Sequence, residues 1–378
     1  MKLLANPKVI VLLLAIMIMG LLGVAGGALG AQFGAGFIGA PLSHIQLAAE
    51  PAWPKAIAGF KITNTMVATW VTILLLTVLA LLARSKVKEV PGRLQGFFEV
   101  LFEFFLNLAD NVTGHDKGRV RRFFPLVMTI FLFVAVSNWL GILPGYGSIG
   151  WFEPADDVIH HAEEAAEKRG EHADLSEIHL QVFDGDGFLA LLPLGSVGID
   201  PITKHPTNVV TAAEYEEHHG EYAGKKVGRL APFFRSANTD INTTLAIAII
   251  AMFMVHFWGF RILGPLNHAG KYINLKGGPI MLFVGLLEII GETSRIISFT
   301  FRLFGNIFAG EVLLIAMAFL IPLVGILPFL GLELFVGLVQ GFVFAMLTLV
   351  FATGATIAHG AHGDDHGHGE VKATEGRH

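Results

Sequence analysis

Between Gly285 and Leu314 the chain reads GLLEIIGETSRIISFTFRLFGNIFAGEVLL, apolar enough for a lipid bilayer yet carrying Glu288, Glu292, Arg295, Arg302, Asn306 and Glu311. A charged side chain at membrane depth costs from roughly 3 kcal/mol on insertion scales to above 10 in simulations. Arg302 has no escape by neutralisation, because a guanidinium stays protonated. The apolar sequence runs on for about twenty residues to either side, so its side chain does not reach a water interface. Such an arginine has to face other protein, a water-filled pocket or a partner's carboxylate. At about 100° per residue, Glu288, Arg295, Ser298, Arg302 and Asn306 fall within about 40° of one line on a helix, a polar stripe on a lipid-compatible rod. Glu311 lies about 180° from Arg302 and looks elsewhere. The plain alternative is a buried ion pair that only fixes packing; it fits Glu292 and Arg295, near the helix start, better than Arg302.

Of the 378 residues, 53% are hydrophobic and 15% charged. Soluble chains carry about 25% charge, so an integral membrane protein is expected. The absence of cysteine excludes disulfides, thiolate zinc sites and cysteine nucleophiles. The 16 histidines gather mainly in two polar regions, a loop and the tail.

Hydropathy divides the chain into six parts. Residues 1–30 form either a cleaved signal peptide or an extra membrane helix; Lys2 and Lys8 keep that end inside in both cases. Residues 31–62 are an outer segment. Residues 63–143 hold a first span, Thr63 to Ala83, with basic residues Arg84, Lys86, Lys88 and Arg93 behind it. An amphipathic helix, Leu94 to Val112, is expected in or along the membrane, and after a second basic cluster (Lys117, Arg119, Arg121, Arg122) Phe123 to Leu143 crosses outward. Residues 144–237 are a polar extracytoplasmic insertion without clear period, apart from a short helix over Ala162 to Arg169. With no visible link to the polar stripe, it is expected to be dispensable for ion flux. Residues 238–358 cross inward from Asn238 to Phe260, then form two overlong helices, Gly278 to Leu320 and Phe329 to Ala358. The first would be roughly 64 Å long against a hydrocarbon core of about 30 Å, so it must tilt, kink or protrude. Residues 359–378 are a His-rich tail with a disordered composition, expected inside. The fold class is therefore an all-α polytopic integral membrane protein, with a final hairpin of two long tilted helices and a polar outer loop insertion.

In an antiparallel hairpin turning near Ile321, residues equidistant from the turn share a depth. That pairs Arg302 with Gln340 at mid-membrane and Glu311 with Glu333 nearer the outside. Two carboxyl groups facing each other in low dielectric do not both ionise cheaply, which suits them to taking up and releasing a proton. Ser298, Arg295, Glu292 and Glu288 offer a separate polar route inward. Polar access from both sides, interrupted by one permanent cation, describes two half-channels with a barrier. Asp240 and Asn242 open an outward-starting helix, where they either polarise the inlet mouth or merely cap the helix.

Arg302-Leu303-Phe304-Gly305-Asn306, extended through Ala309-Gly310-Glu311, resembles the signature of subunit a of the F-type ATP synthase. Gln340 within Leu338 to Phe344, the segments Asn138 to Pro144 and Thr239 to Thr244, and His44 to Glu50 resemble further landmarks of that family. The resemblance implies a proton-translocating stator subunit with two long tilted helices against a ring of c subunits. It implies the essential cation at Arg302, inlet groups at Asn306, Glu311, Glu333 and Gln340, and an outlet glutamate at Glu288, which ends the inward polar route already read through Ser298, Arg295 and Glu292. It further implies a bacterial plasma membrane location, the c-ring and the b-subunit peripheral stalk as partners, no nucleic acid, no cofactor and no resident metal. The subunit would carry no nucleotide chemistry of its own, and no Gly-Lys-Ser/Thr phosphate loop is present. Family members differ at the position of Glu333, where a histidine also stands. A metal-ion transporter is the alternative suggested by the His-rich loop and tail. It is weakened because His256 stands alone in its span, as a packed or interfacial histidine would. A non-conducting membrane scaffold leaves the Arg302 stripe without a purpose.

Overall fold

The computed structural model describes residues 7–34, 49–52, 61–85, 87, 89–143, 146–147, 149–167, 170–183, 189–191, 209–218, 220, 226–272, 278–321 and 323–357. His44 to Ala48, Lys86, Lys88, Lys276, Pro144, Pro322 and the tail 359–378 lie outside these residues.

Among the described residues, five helices are long and apolar enough to cross a membrane. They are α3 (Asn64–Ser85), α5 (Lys117–Gly141), α8 (Ile241–Leu263), α10 (Gly278–Leu320) and α11 (Leu327–Ala355). Before them come α1 (Pro7–Gly26) and the short α2 (Ala28–Ala31); α1 lies against the 3-10 turn Leu323–Ile326 that joins α10 to α11. Between spans run α4 (Arg93–Val112) and α9 (Pro265–Tyr272). The membrane body is all-α, as the hydropathy requires.

Local chemistry explains the boundaries. α5 begins at Lys117 rather than Phe123 because Asp116 caps it, accepting from the backbone N–H groups of Gly118 and Arg119; the second basic cluster is thus the helix's own first turns. α8 begins at Ile241 because Asp240 accepts from Asn242 N at 2.9 Å, a cap typically worth about 0.5–2 kcal/mol. Asp240 also accepts from Thr65 Oγ1 at 2.9 Å, tying α3 to α8. These contacts make Asp240 a helix cap and an inter-helix tie; Asn242, exposed beside it, donates its side-chain amide to the same carboxylate.

Packing follows from small residues. On α11, a methyl group at Gly337 would sit 2.9 Å from Asn138 Cβ, and one at Gly341 would sit 3.2 Å from the Ala135 N and Phe131 O atoms of α5. Without side chains at these two positions the backbones of α5 and α11 approach closely, the usual device where no hydrophobic effect drives helices together. At the outer end Asn138 donates to Gly337 O, Trp139 to Leu334 O, and Asn238 to both Ser137 Oγ and Asn138 Oδ1. α4 rests on this pair through Phe105, whose ring lies 4.5 Å from Phe131 and 5.8 Å from Phe342. Phe97 and Val100 of α4 remain exposed, as an amphipathic helix against lipid would leave them.

The polar insertion is more structured than its sequence suggests. Its described residues include five strands, β1 (Ile149–Pro154), β2 (His179–Phe183), β3 (Leu189–Leu191), β4 (Val209–Thr211) and β5 (Lys226–Pro232), in one antiparallel sheet ordered β3-β1-β5-β2-β4. The expected helix over Ala162 to Arg169 is instead α6 (Ala155–Glu167), and a second, α7 (Ala212–Glu217), follows β4. Ala155, Val158 and Ile159 of α6 pack with Leu180, Ala212 and Val227 in a small core of their own. Strands of three to seven residues are too short to show a period of two above the surrounding polar sequence.

Candidate functional site

The site is built on α10. Phe299, Leu303 and Ile307 recur on one face and are buried among Ile130, Val134, Ala248, Ala251, Met252 and Phe344. Arg302 is about 100° round the helix from Leu303, so fixing that core turns the guanidinium outward. Arg302 and Ser298 are exposed, next to Ile297 (51%) and Phe301 (57%). Within the chain the Arg302 guanidinium donates to Ser298 Oγ at 3.4 Å. Among the described residues no carboxylate forms an ion pair with it. Among the described residues this permanent cation on an apolar, uncovered face has Ser298 as its hydrogen-bond partner and lacks the counter-charge that membrane burial demands.

Among the described residues Gln340 is hydrogen-bonded to Asn306 and not to Arg302, the residue that equal distances from Ile321 pair it with. Asn306 Nδ2 donates to Gln340 Oε1 at 2.8 Å, a register centred at position 323, because the 3-10 turn Leu323–Ile326 lengthens the connection. Gln340 is buried on α11, and its contact holds α10 and α11 together one turn outward of the arginine.

At the outer level Glu333 is buried, its carboxylate pressed against Gly310: a Cβ there would fall 1.9 Å from Glu333 Oε2. Glu311 follows directly in sequence but turns to a residue that sequence reasoning missed. Arg235, itself 7% exposed, donates to Glu311 from Nε at 3.2 Å and from Nη2 at 3.0 Å. The expected Glu311–Glu333 level therefore exists, with one of its carboxylates already engaged by a guanidinium. Arg235 belongs to the insertion, so the loop reaches Glu311, a candidate inlet group on the opposite side of α10 from the polar stripe. Nearby, Glu153 is buried and paired with Arg229 at 2.7 Å and His161 at 3.2 Å. Glu50, just before α3, is buried too. Burial raises its carboxyl above the ordinary range, while Arg229 and Arg235 pull the other way.

On the role that the resemblance to subunit a implies, Arg235→Gln should slow proton-driven turnover roughly tenfold, equivalent to about 1.4 kcal/mol and near the low end for a hydrogen bond to a charged group. Replacing Asp156 to Tyr222 by a short Gly/Ser bridge, which retains β1, β5 and Arg235, should preserve most of the flux. Synthesis rates in reconstituted vesicles check both. Complete uncoupling by the deletion in a normally assembled complex would show that the outer sheet does more than carry Arg235.

At the inner end Arg295 gathers the outlet candidates. Its guanidinium contacts Glu292 one turn back, lies 4.0 Å from Glu288, and sits over the Phe351 ring of α11 at 4.8 Å. Ser298 is drawn to Arg302 instead. His256 is not alone: its Nε2 is 3.6 Å from Glu292 Oε2 and its Nδ1 is 3.5 Å from the Tyr272 hydroxyl. Neither His256 nor Tyr272 carried a signal in the sequence, because their convergence with Glu292 depends on α8, α9 and α10 meeting. Among the described residues, no group of three or more His, Asp or Glu side chains is placed to hold a metal.

A polar cluster at each end of a span, with an outward-facing arginine between, is one arrangement. The profile of the ATP synthase A chain family matches residues 66–353, most of the chain. The chain belongs to that family. Similar proteins include ATP synthase subunit a of Gloeobacter violaceus, 28% identical over 303 residues (80% of this chain and 86% of the relative). The corresponding protein of Geotalea uraniireducens is 26% identical over 290 residues (76% and 85%), and that of Campylobacter jejuni subsp. doylei 25% over 292 residues (76% and 88%). The matched region of this A chain family member includes α5, α8, α10 and α11, and with them every candidate site residue. It is a multi-pass membrane protein.

Proposed function

We propose that the chain is the proton-translocating stator subunit a of an ATP synthase membrane sector, seated in a bacterial plasma membrane with the outer sheet extracytoplasmic and the tail inside. A proton enters past Asp240 and Asn242 to the level of Glu311, Glu333, Asn306 and Gln340, and neutralises a carboxylate on a ring of c subunits. The neutral carboxyl can then turn through lipid. After nearly a full rotation it meets the outlet lined by Ser298, Arg295, Glu292 and Glu288 and gives up its proton. Arg302 stabilises the carboxylate at that moment and bars direct passage between the half-channels. Each proton crossing 100 mV supplies about 2.3 kcal/mol, so several are spent per ATP. A b-subunit stalk would keep this chain from turning with the ring. The carrying observation is Arg302, a permanent cation on the uncovered face of α10, between two separate clusters of carboxylates.

The chain's lack of cysteine gives a clean test of the ring-facing surface. Single cysteines at Ile297 and Phe301 should crosslink to a cysteine-bearing c subunit. A cysteine at Phe253, 66% exposed on α8, should not. Crosslinking from Phe253 and none from α10 would place the ring on another face and remove the proposed role of Arg302.

A further inference from the structure

The cluster at the inner end of α8 is more than an ion pair that settles packing. His256 is 29% exposed and Glu292 14% exposed in their side chains, with His256 Nε2 3.6 Å from Glu292 Oε2, so the histidine is the more exposed of the two facing groups. Three elements meet there. From α10, Glu292 faces His256 through Oε2, while Arg295 contacts Oε1 and Glu288 lies behind Arg295. From α9, Tyr272 places its hydroxyl 3.5 Å from His256 Nδ1 and 3.4 Å from Glu292 Oε1, and the His268 ring lies 5.8 Å from that of His256. Burial, then the charges of Glu292 and Glu288, hold the Tyr272 phenol well above its ordinary range, so it remains a hydrogen-bond donor. The hydroxyl donates to Glu292 and can accept from His256 Nδ1–H. That contact favours the tautomer whose Nε2 lone pair looks toward Glu292 Oε2.

We propose that His256, held in register by Tyr272, is the proton-release residue of this chain, carrying protons from Glu292 to water on the inner side. This rests on the outlet reading above. A proton on Glu292 Oε2 passes to Nε2 of neutral His256, breaking one O–H bond and forming one N–H bond. The imidazolium then loses its Nδ1 proton to water, and tautomer exchange through water resets the ring. No electrons move. An imidazole suits the task because one ring nitrogen can take up a proton while the other gives one up. Arg295 cannot substitute, because its guanidinium does not release a proton.

The test uses the complete complex in vesicles, in weak buffer, with synthesis driven by an imposed proton gradient. His256→Gln should slow synthesis about tenfold or more, in the range by which a positioned proton-transfer group accelerates a step. Tens of millimolar imidazole on the inner side should restore much of the rate, with little effect on the wild-type complex. Tyr272→Phe, which removes one oxygen and keeps the ring contacts, should give a milder slowing with the same rescue. Wild-type rates in both variants, or slowing that imidazole leaves unchanged, would overturn the proposal and make His256 a packing residue. Glu288→Gln and Glu292→Gln separate this failure from the wider one. If they slow synthesis while His256→Gln does not, only the release residue is wrong; if neither slows it, the outlet itself lies elsewhere.

Discussion

Vesicles carrying Arg302→Ala are expected to make no ATP, to pump no protons when given ATP, and to leak protons passively, with the ring still bound. The leak follows from geometry. Arg302 has its core-facing neighbours Leu303 and Phe299 buried and its own side chain outside the bundle, so alanine there leaves the fold unstrained. What disappears is the cation that holds a ring carboxylate ionised between the two polar clusters. A carboxyl could then shuttle protons from one side to the other without net rotation. Arg302→Lys should also abolish coupled synthesis. The ammonium is shorter, lacks the planar fork, and sheds its proton when desolvated. Decay of an imposed pH gradient, measured with and without nucleotide, reads the leak. Coupled synthesis at wild-type rates in Arg302→Ala would end the turnstile account.

Gly310→Ala is expected to be almost as damaging, for a different reason. The added methyl would fall 1.9 Å from Glu333 Oε2 and 2.3 Å from its Cδ. The end of a glutamate side chain yields more readily than two packed helices, so the carboxylate should move while the helix pair stays together. Unaltered assembly with proton-driven synthesis reduced by two orders of magnitude or more is the expected result, since a small misplacement at a transfer site can cost about 100-fold. Gly310→Ala combined with Glu333→Asp, which shortens the displaced side chain, should recover part of the rate. Full activity in Gly310→Ala would show that the position of Glu333 is immaterial to proton entry.

The helices of the membrane body were legible because their signal is long. α10 spans Gly278–Leu320, the bounds that hydropathy alone marks, and the polar stripe on it follows from one angle per residue. Contacts that depend on how helices meet were not. The partner of Gln340 proved to be Asn306, because the shape of a four-residue turn sets the register of the whole hairpin. Arg235 and Glu311 are 76 positions apart, and nothing in the polar sequence around Arg235 singles it out from other basic residues. His256 looked solitary because its partners arrive from α9 and α10. The β-sheet escaped for a further reason: its strands obtain their order from pairing across intervals of chain that carry no pattern of their own.

A subunit that a turning ring bears against is loaded sideways as well as chemically. In the proposed arrangement α10 would take that load, and it is braced against its surroundings at three heights: Arg235 to Glu311 at the top, Asn306 to Gln340 in the middle, and Arg295 over Phe351 at the bottom. The lower two braces run to α11, and α11 is set glycine-close against α5. Shear applied at Arg302 therefore passes into a rigid pair of helices instead of bending the long one. Each brace also includes a residue proposed above to line a half-channel. Loosening one would let α10 flex under torque, so slippage should grow with the driving force: small at a shallow gradient, large at a steep one.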